Sequence, residues 1–252
     1  MQQTPRSEES NLTPLPIFIG YDPKESLAAY VLAHSISRRS SVPVTFTFLR
    51  QDVLRKVVYT RDVDEQASTE FSLTRFLVPS MSTGPALFLD CDMLMLADVA
   101  DLFKLADDKD VYCVQHDYEP VSKTKMEGLA QHSYPRKNWS SLMLFNSPDL
   151  SADDVNERSP AYLHQMVWAD ESIGEIPLEW NWLVGEYGYH ENPKCLHWTL
   201  GGPWWPQYQA APYADKWYAE LDNMMSENGG NISFDVTLKH ETPVSIERFR
   251  GA

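Results

Sequence analysis

The sequence predicts an α/β fold with a mostly parallel central sheet and helices on both faces, on three observations. Short apolar runs at Ile17-Phe18-Ile19, Val44 to Phe48 and Ala86 to Leu89 alternate with stretches of helical spacing. The first run leads through Gly20-Tyr21 directly into a helix start, the strand, turn, helix order of a nucleotide-binding α/β half. The third run ends in two carboxylates, Asp90 and Asp92, at the carboxyl end of a strand, where ligands of such sheets bind.

In chain order, residues 1–14 are rich in Gln, Ser, Glu and Pro without periodicity and read as a disordered tail, leaving 15–252 as a single domain. Ile17 to Ile19 form the first strand. Asp22-Pro23-Lys24-Glu25 reads as a capping box with proline at the first helical position, opening a helix with Ala28, Leu32 and Ile36 on one face. Val44, Phe46 and Phe48 alternate with Thr45 and Thr47, giving a second strand. A helix over about 69–77 is expected to stop before Pro79, and Ala86 to Leu89 follow as the strand that carries the acidic pair. Next come an amphipathic segment at Val99-Leu102-Phe103 and strands at Val111 to Val114 and Leu142 to Phe145. A helix capped by Ser159-Pro160 is expected to run to Ala169. After a Trp-rich loop, a helix near 213–225 precedes two late strands, 232–238 and 244–246.

Composition narrows the function. Lys+Arg 21 against Asp+Glu 36 gives a net charge of −15, which repels nucleic acid and anionic lipid at long range. Neither partner is expected. No run approaches the roughly 20 apolar residues of a membrane span, and the first 15 residues carry no apolar signal core, so the expected location is the cytoplasm. Cys91, Cys113 and Cys195 are far apart with no C-x-x-C pair, which points to reduced thiols rather than a disulfide frame or a thiolate zinc site. The sequons at Asn11, Asn138 and Asn231 are accordingly expected to stay unused.

Two acidic side chains one residue apart, with no cation nearby in sequence, repel each other, and a shared divalent metal is the economical reason to place them together. The bland alternative is a solvated turn after a strand. The run from Cys195 to Trp205 weighs against it by joining His197 to Gly201-Gly202 and an aromatic cluster. A neutral imidazole can complete a carboxylate ligand set, and paired glycines let backbone N–H groups approach a diphosphate without a Cβ in the way. His197 as a core histidine bonded to backbone is the competing reading.

Taken in order, Ile19-Gly20-Tyr21-Asp22, Ser72-Leu73-Thr74-Arg75 ahead of Pro79, Leu87-Phe88-Leu89-Asp90-Cys91-Asp92, Trp139-Ser140-Ser141 and His197 before Gly202-Pro203-Trp204 resemble glycosyltransferase family 8, the glycogenin and lipopolysaccharide galactosyltransferase group. The resemblance covers about Ile17 to Trp205. It implies a GT-A fold, a nucleotide-sugar donor, most simply a UDP-sugar, a saccharide or other small acceptor, and Mn²⁺ or Mg²⁺. It further implies that Asp90, Asp92 and His197 bind the metal and that Gly20, Tyr21 and Asp22 line the base and ribose pocket. By the same likeness Arg75 reaches the donor, and Ser140 and Ser141 occupy the sugar-contact segment. Transfer with retention follows from the family's stereochemistry.

The departures mark a divergent sub-family. The stretch from His197 to Pro203 is one residue short of the family pattern, and Gly202 stands where a lysine is expected. Lys194, Lys137 or the Gly201-Gly202 backbone would then have to steady the leaving diphosphate. The family's sugar-contact asparagine aligns with Trp139, next to Asn138, and its Asp-Gln pair is represented at best by Asp170-Glu171.

Charge developing at the anomeric carbon calls for a carboxylate or amide near the sugar. Candidates are Glu179, Asn181, Asp117 beside His116, and Asp170-Glu171, and no nucleophile is singled out. Arg75 has a surface ion pair as its bland reading, and most of the tryptophans have core packing. Two other classes compete: a haloacid-dehalogenase-type phosphatase using Asp90 and Asp92, and a non-catalytic carbohydrate-binding protein, which would explain the tryptophans but not the acidic pair.

Overall fold

The protein is described here by a computed structural model, which covers residues 13–62, 69–121 and 135–227. The expected tail (up to residue 12) and both late strands, 232–238 and 244–246, lie outside the described residues.

Strand β1 (Leu15–Gly20) leads into a 3₁₀ turn, Pro23–Glu25, and helix α1 (Ser26–Arg39). Asp22 caps the turn by accepting from Lys24 N at 2.9 Å. The expected capping box is only half formed, because the Glu25 side chain turns into the protein instead of back to the cap. The expected stripe of Ala28, Leu32 and Ile36 is buried, as are Ala29, Val31 and Ser35. Helix α1 is therefore buried over more than one face. Ala29, Leu32 and Ile36 join the main core, while Ala28 and Val31 join a second core built around Trp198, Trp204 and Trp217.

Strand β2 (Val44–Leu49) pairs parallel to β1 and is followed by the single-turn helix α2 (Gln51–Leu54). The helix expected over 69–77 differs. Residues up to Leu73 form turns, Thr74–Leu77 a 3₁₀ turn, and α3 (Val78–Met81) contains Pro79 in its first turn. A proline there loses no hydrogen bond, since first-turn N–H groups have no partner within the helix, so Pro79 starts this helix instead of ending the one before.

Strand β3 (Ala86–Leu89) pairs parallel to β1, and β4 (Met93–Met95) starts a second sheet. Helix α4 (Ala100–Phe103) and β5 (Val111–Cys113) follow, then β6 (Leu142–Phe145), antiparallel to both β3 and β5. The expected helix to Ala169 is broken. A short helix α5 (Ala152–Glu157), closed by a Ser151/Asp154 capping box, precedes α6 (Pro160–His164); Met166 then adopts a left-handed φ of 50° and a 3₁₀ turn, Val167–Ala169, follows. Strands β7 (Ile173–Glu175), β8 (Trp182–Leu183) and β9 (Cys195–His197), like β4, are two or three residues long and were not expected from the sequence. Helix α7 (Ala214–Glu227) closes the described chain.

The central sheet has the order β2-β1-β3-β6-β5-β7, with β6 alone running against the others, so the expected mostly parallel sheet is present. Consecutive strand residues point to opposite faces, and every residue of β3 and β6 is buried. Both faces are therefore covered. The smaller sheet, β4-β9-β8, pairs Met93 with His197 and His197 with Leu183. That register matters for function.

Candidate metal centre

Strand β3 delivers Asp90 at its carboxyl end, where the Asp90 N–H donates to Ser141 O at 2.9 Å. The chain then turns through Cys91 and Asp92 into β4. Because β4 and β9 pair with Met93 opposite His197, and Trp198 N donates to Asp92 O at 3.0 Å, the distant imidazole is carried next to the acidic pair. One ligand atom from each of Asp90, Asp92 and His197 lies within 4.8 Å of the others. His197 Nε2 stands 3.3 Å from Asp92 Oδ1.

The sequence suggested no cation near these carboxylates; the fold supplies one. Arg75 is buried, with its guanidinium carbon 5.3 Å and 5.2 Å from the centres of the Phe71 and Phe88 rings. Its Nη1 donates to Ser140 O at 2.8 Å and stands 2.9 Å from Asp90 Oδ1 in a buried ion pair. The surface-pair reading of Arg75 is overturned. Burial pushes the Asp90 carboxyl up to about 6, with Arg75 pulling it down and Asp92 pushing it further up.

The donor set fits a divalent cation. Asp92 Oδ1 is shut off from solvent and accepts no hydrogen bond, a costly arrangement that a cation relieves, whereas Asp90 Oδ1 already faces the Arg75 guanidinium. Two carboxylate oxygens and one imidazole nitrogen suit Mn²⁺, and Mg²⁺ less well, since it favours oxygen.

Ser140 and Ser141, in a 3₁₀ turn (Trp139–Ser141) before β6, tie the site together. Ser140 O holds Arg75, while Ser140 Oγ lies 3.1 Å from His164 Nδ1, whose Nε2 lies 3.3 Å from Ser72 Oγ. Ser141 Oγ donates to Asn138 O at 2.6 Å and accepts from Asn181 Nδ2 at 2.8 Å; Asn181 Oδ1 lies 2.9 Å from His197 Nδ1. Asn181 is fully buried with both amide atoms committed, so it faces the imidazole and not a sugar. His164 was missed by the sequence reading, and no local pattern marks it. Burial, and then Arg75, hold it down to about 3, so it stays neutral.

Gly20 sits beside the site, since Ile19 pairs with Leu89. A Cβ there would come within 2.4 Å of the Phe71 ring, the ring that packs on Arg75. Tyr21 is buried, nearly perpendicular to the Phe48 ring, with Arg50 over its face. Asp22 gives its second oxygen to Glu70 N at 3.3 Å, so both oxygens serve backbone groups. Gly201 donates its N–H to Trp198 O at 2.9 Å and does not offer it to a phosphate. A Cβ on Gly202 would fall 2.1 Å from the Trp204 ring. Aromatic packing thus explains this glycine by itself. Trp180, Trp198, Trp204 and Trp217 are buried, as expected of packing tryptophans.

Apart from Asn181, the candidates for sugar chemistry are not joined to the metal trio by any bond among the described residues. Glu179 faces Lys194 at 3.4 Å, and Lys194 also lies over the Trp180 ring, so one of the three expected substitutes for the missing lysine is already engaged. Asp170 pairs with Arg136, and Glu171 is exposed. Asp117 is exposed at the rim of a cavity of about 380 Å³ that is also lined by His116, Tyr118 and Arg136. Glu25, missed as a functional candidate, is buried with Trp205 Nε1 at 3.3 Å and Cys91 Sγ at 3.5 Å. Burial first, then Asp92 and Asp22, push it up to about 8.

No protein-family model matches the sequence. It is 44% identical to Protein CDI of Arabidopsis thaliana over 241 residues, spanning 90% of this chain and 93% of the relative. This chain belongs to the CDI family. Likeness of fold reaches beyond the CDI family to glycosyltransferases of GT-A type. The apo structure of the bifunctional WbbM matches with a TM-score of 0.56 at 15% identity, over 84% of this chain and 50% of that one. GlyE of Streptococcus pneumoniae TIGR4 matches with 0.54 at 13% identity, over 86% and 64%. The galactosyltransferase LgtC, solved with donor and acceptor sugar analogs, matches with 0.51 at 10% identity, over 83% and 96%. This chain thus spans half of WbbM and under two thirds of GlyE. The expected GT-A fold is present, and among the described residues no helix is long and apolar enough to cross a membrane.

Proposed function

We propose that this protein is a metal-dependent glycosyltransferase, a hexosyltransferase of family 8 type, that moves a sugar with retention from a nucleotide diphosphate donor, a UDP-sugar, to a saccharide or other small acceptor. The observation that carries this reading is the convergence of Asp90, Asp92 and His197 at the carboxyl end of β3 in a GT-A fold. Bound there, Mn²⁺ would neutralise charge on the diphosphate leaving group.

The chain's own residues do the rest. Arg75 keeps Asp90 in place and offsets part of the local negative charge, which favours binding an anionic donor. Asn181 and Ser141 hold His197 from behind. Asp117, exposed at the rim of the cavity beside His116, is the proposed carboxylate toward the sugar, with Glu179 second because Lys194 already engages it. Gly20 and Tyr21 are the proposed boundary of the nucleoside pocket next to Asp90. The phosphatase reading needs an Asp90 carboxylate free to attack phosphorus, whereas Asp90 is paired with a buried Arg75. The cytosol is the proposed setting, in keeping with three buried thiols.

The test is a panel of nucleotide-sugars with and without Mn²⁺, following release of free nucleoside diphosphate. The reading requires metal-dependent release from at least one donor and its loss in Asp92→Asn. Release that ignores both metal and substitution would defeat it.

A further inference from the structure

We propose that Ser141 and Asn181 lock His197 in the tautomer that carries its proton on Nδ1, leaving the Nε2 lone pair aimed at a cation shared with Asp90 and Asp92. The purpose of this lock rests on the metal-centre reading above; the lock itself does not.

The direction of each bond follows from the one before. Asn138 O is a carbonyl and can only accept, so at 2.6 Å the Ser141 hydroxyl must donate to it. With its one proton spent, Ser141 Oγ can only accept from Asn181, and the amide turns its Nδ2 toward the serine at 2.8 Å. That orientation leaves Asn181 Oδ1, an acceptor, 2.9 Å from His197 Nδ1, which must therefore carry the proton. A neutral imidazole with Nδ1 protonated has its lone pair on Nε2.

That lone pair faces Asp92 Oδ1 at 3.3 Å, and Asp92 Oδ1 accepts no hydrogen bond. Two acceptors set against each other inside a protein are unfavourable, and a cation between them removes the conflict. Asn181 and His197 are both buried, at 0% and 2% exposure, so water does not scramble the chain of bonds. The register fixes it as well, because Asn181 directly precedes β8, whose Leu183 pairs with His197. Ser141 and Asn181 act through His197 and are positioning residues.

The experiment is long-range ¹⁵N–¹H NMR of the histidine rings at pH 8 in the full chain without metal, with His197 assigned by the signal lost in His197→Gln. The same proteins are then titrated with MnCl₂ by calorimetry. The lock requires an Nδ1–H tautomer in the wild type. It also requires that Asn181→Leu scramble the tautomer and weaken Mn²⁺ binding about 10–100-fold, the usual effect of losing an outer partner of a histidine ligand. Ser141→Ala, the milder change, moves both readouts the same way, and Asn181→Asp, which keeps an acceptor facing Nδ1, preserves the tautomer. An Nε2–H tautomer in the wild type, or Ser141→Ala and Asn181→Leu proteins with wild-type spectra and affinity, would overturn the lock. An Nδ1–H wild type that takes up no Mn²⁺ would instead overturn the metal reading, and the proposed role of the lock with it.

Discussion

Arg75 and Asp90 form a buried ion pair, 2.9 Å between Nη1 and Oδ1, with Phe71 and Phe88 closing over the guanidinium. The two residues come from different elements, the 3₁₀ turn ahead of α3 and the end of β3, and meet only in the fold. Removing one partner of such a pair leaves an uncompensated charge. Arg75→Met should therefore lower stability by about 3 kcal/mol in urea melts, the low end of the range because Asp90 keeps some contact with solvent. The double variant Arg75→Met/Asp90→Asn should recover part of that loss. Strict additivity would show that the pair is not coupled.

Stability should depend on pH through Glu25. Its folded-state value of about 8 lies above the ordinary 4.5, so between those values the folded protein holds a proton that the unfolded chain has lost. This contribution is complete below about pH 4.5 and declines as pH rises to about 8. Glu25→Gln removes the titrating group but keeps an acceptor for Trp205 Nε1. Urea melts at pH 6 and pH 9 should show the variant losing less stability over that interval than the wild type, and parallel losses would contradict the assignment.

Gly20→Ala tests the packing behind the site. The new methyl would meet Phe71 at 2.4 Å, and the ring cannot move without disturbing Arg75. A loss of about 1–3 kcal/mol is expected from overpacking, read from the denaturation midpoint. Gly84→Ala, where nothing lies within 4 Å of the new methyl, serves as the control and should change little.

Much of this was legible in the sequence, for reasons particular residues show. The strand Ala86 to Leu89 with its two aspartates, and the apolar stripe of Ala28, Leu32 and Ile36, are local patterns whose period matches their structure. Arg75, Ser140, Ser141 and Asn181 were named as site residues, but their pairings were not legible, because they act over long separations. Nothing near Asp90 in sequence announces Arg75, and nothing near His197 announces Asn181 and Ser141. Ser140 and Ser141 hold Arg75 and Asn181, a role that no local pattern announces. Pro79 misled because proline signals a helix start as readily as a stop. Strands β4 and β9 are too short for any periodicity, yet their register is what carries His197 to the aspartates.

The proposed function depends on Asp90, Asp92 and His197 together holding one divalent cation. Calorimetric titration of the full chain with MnCl₂ in the presence of uridine diphosphate tests it most directly. One ion bound per chain is expected in the wild type, with loss of that binding in Asp92→Asn. A wild-type protein that takes up no ion, or an Asp92→Asn protein that binds as tightly as the wild type, would contradict it.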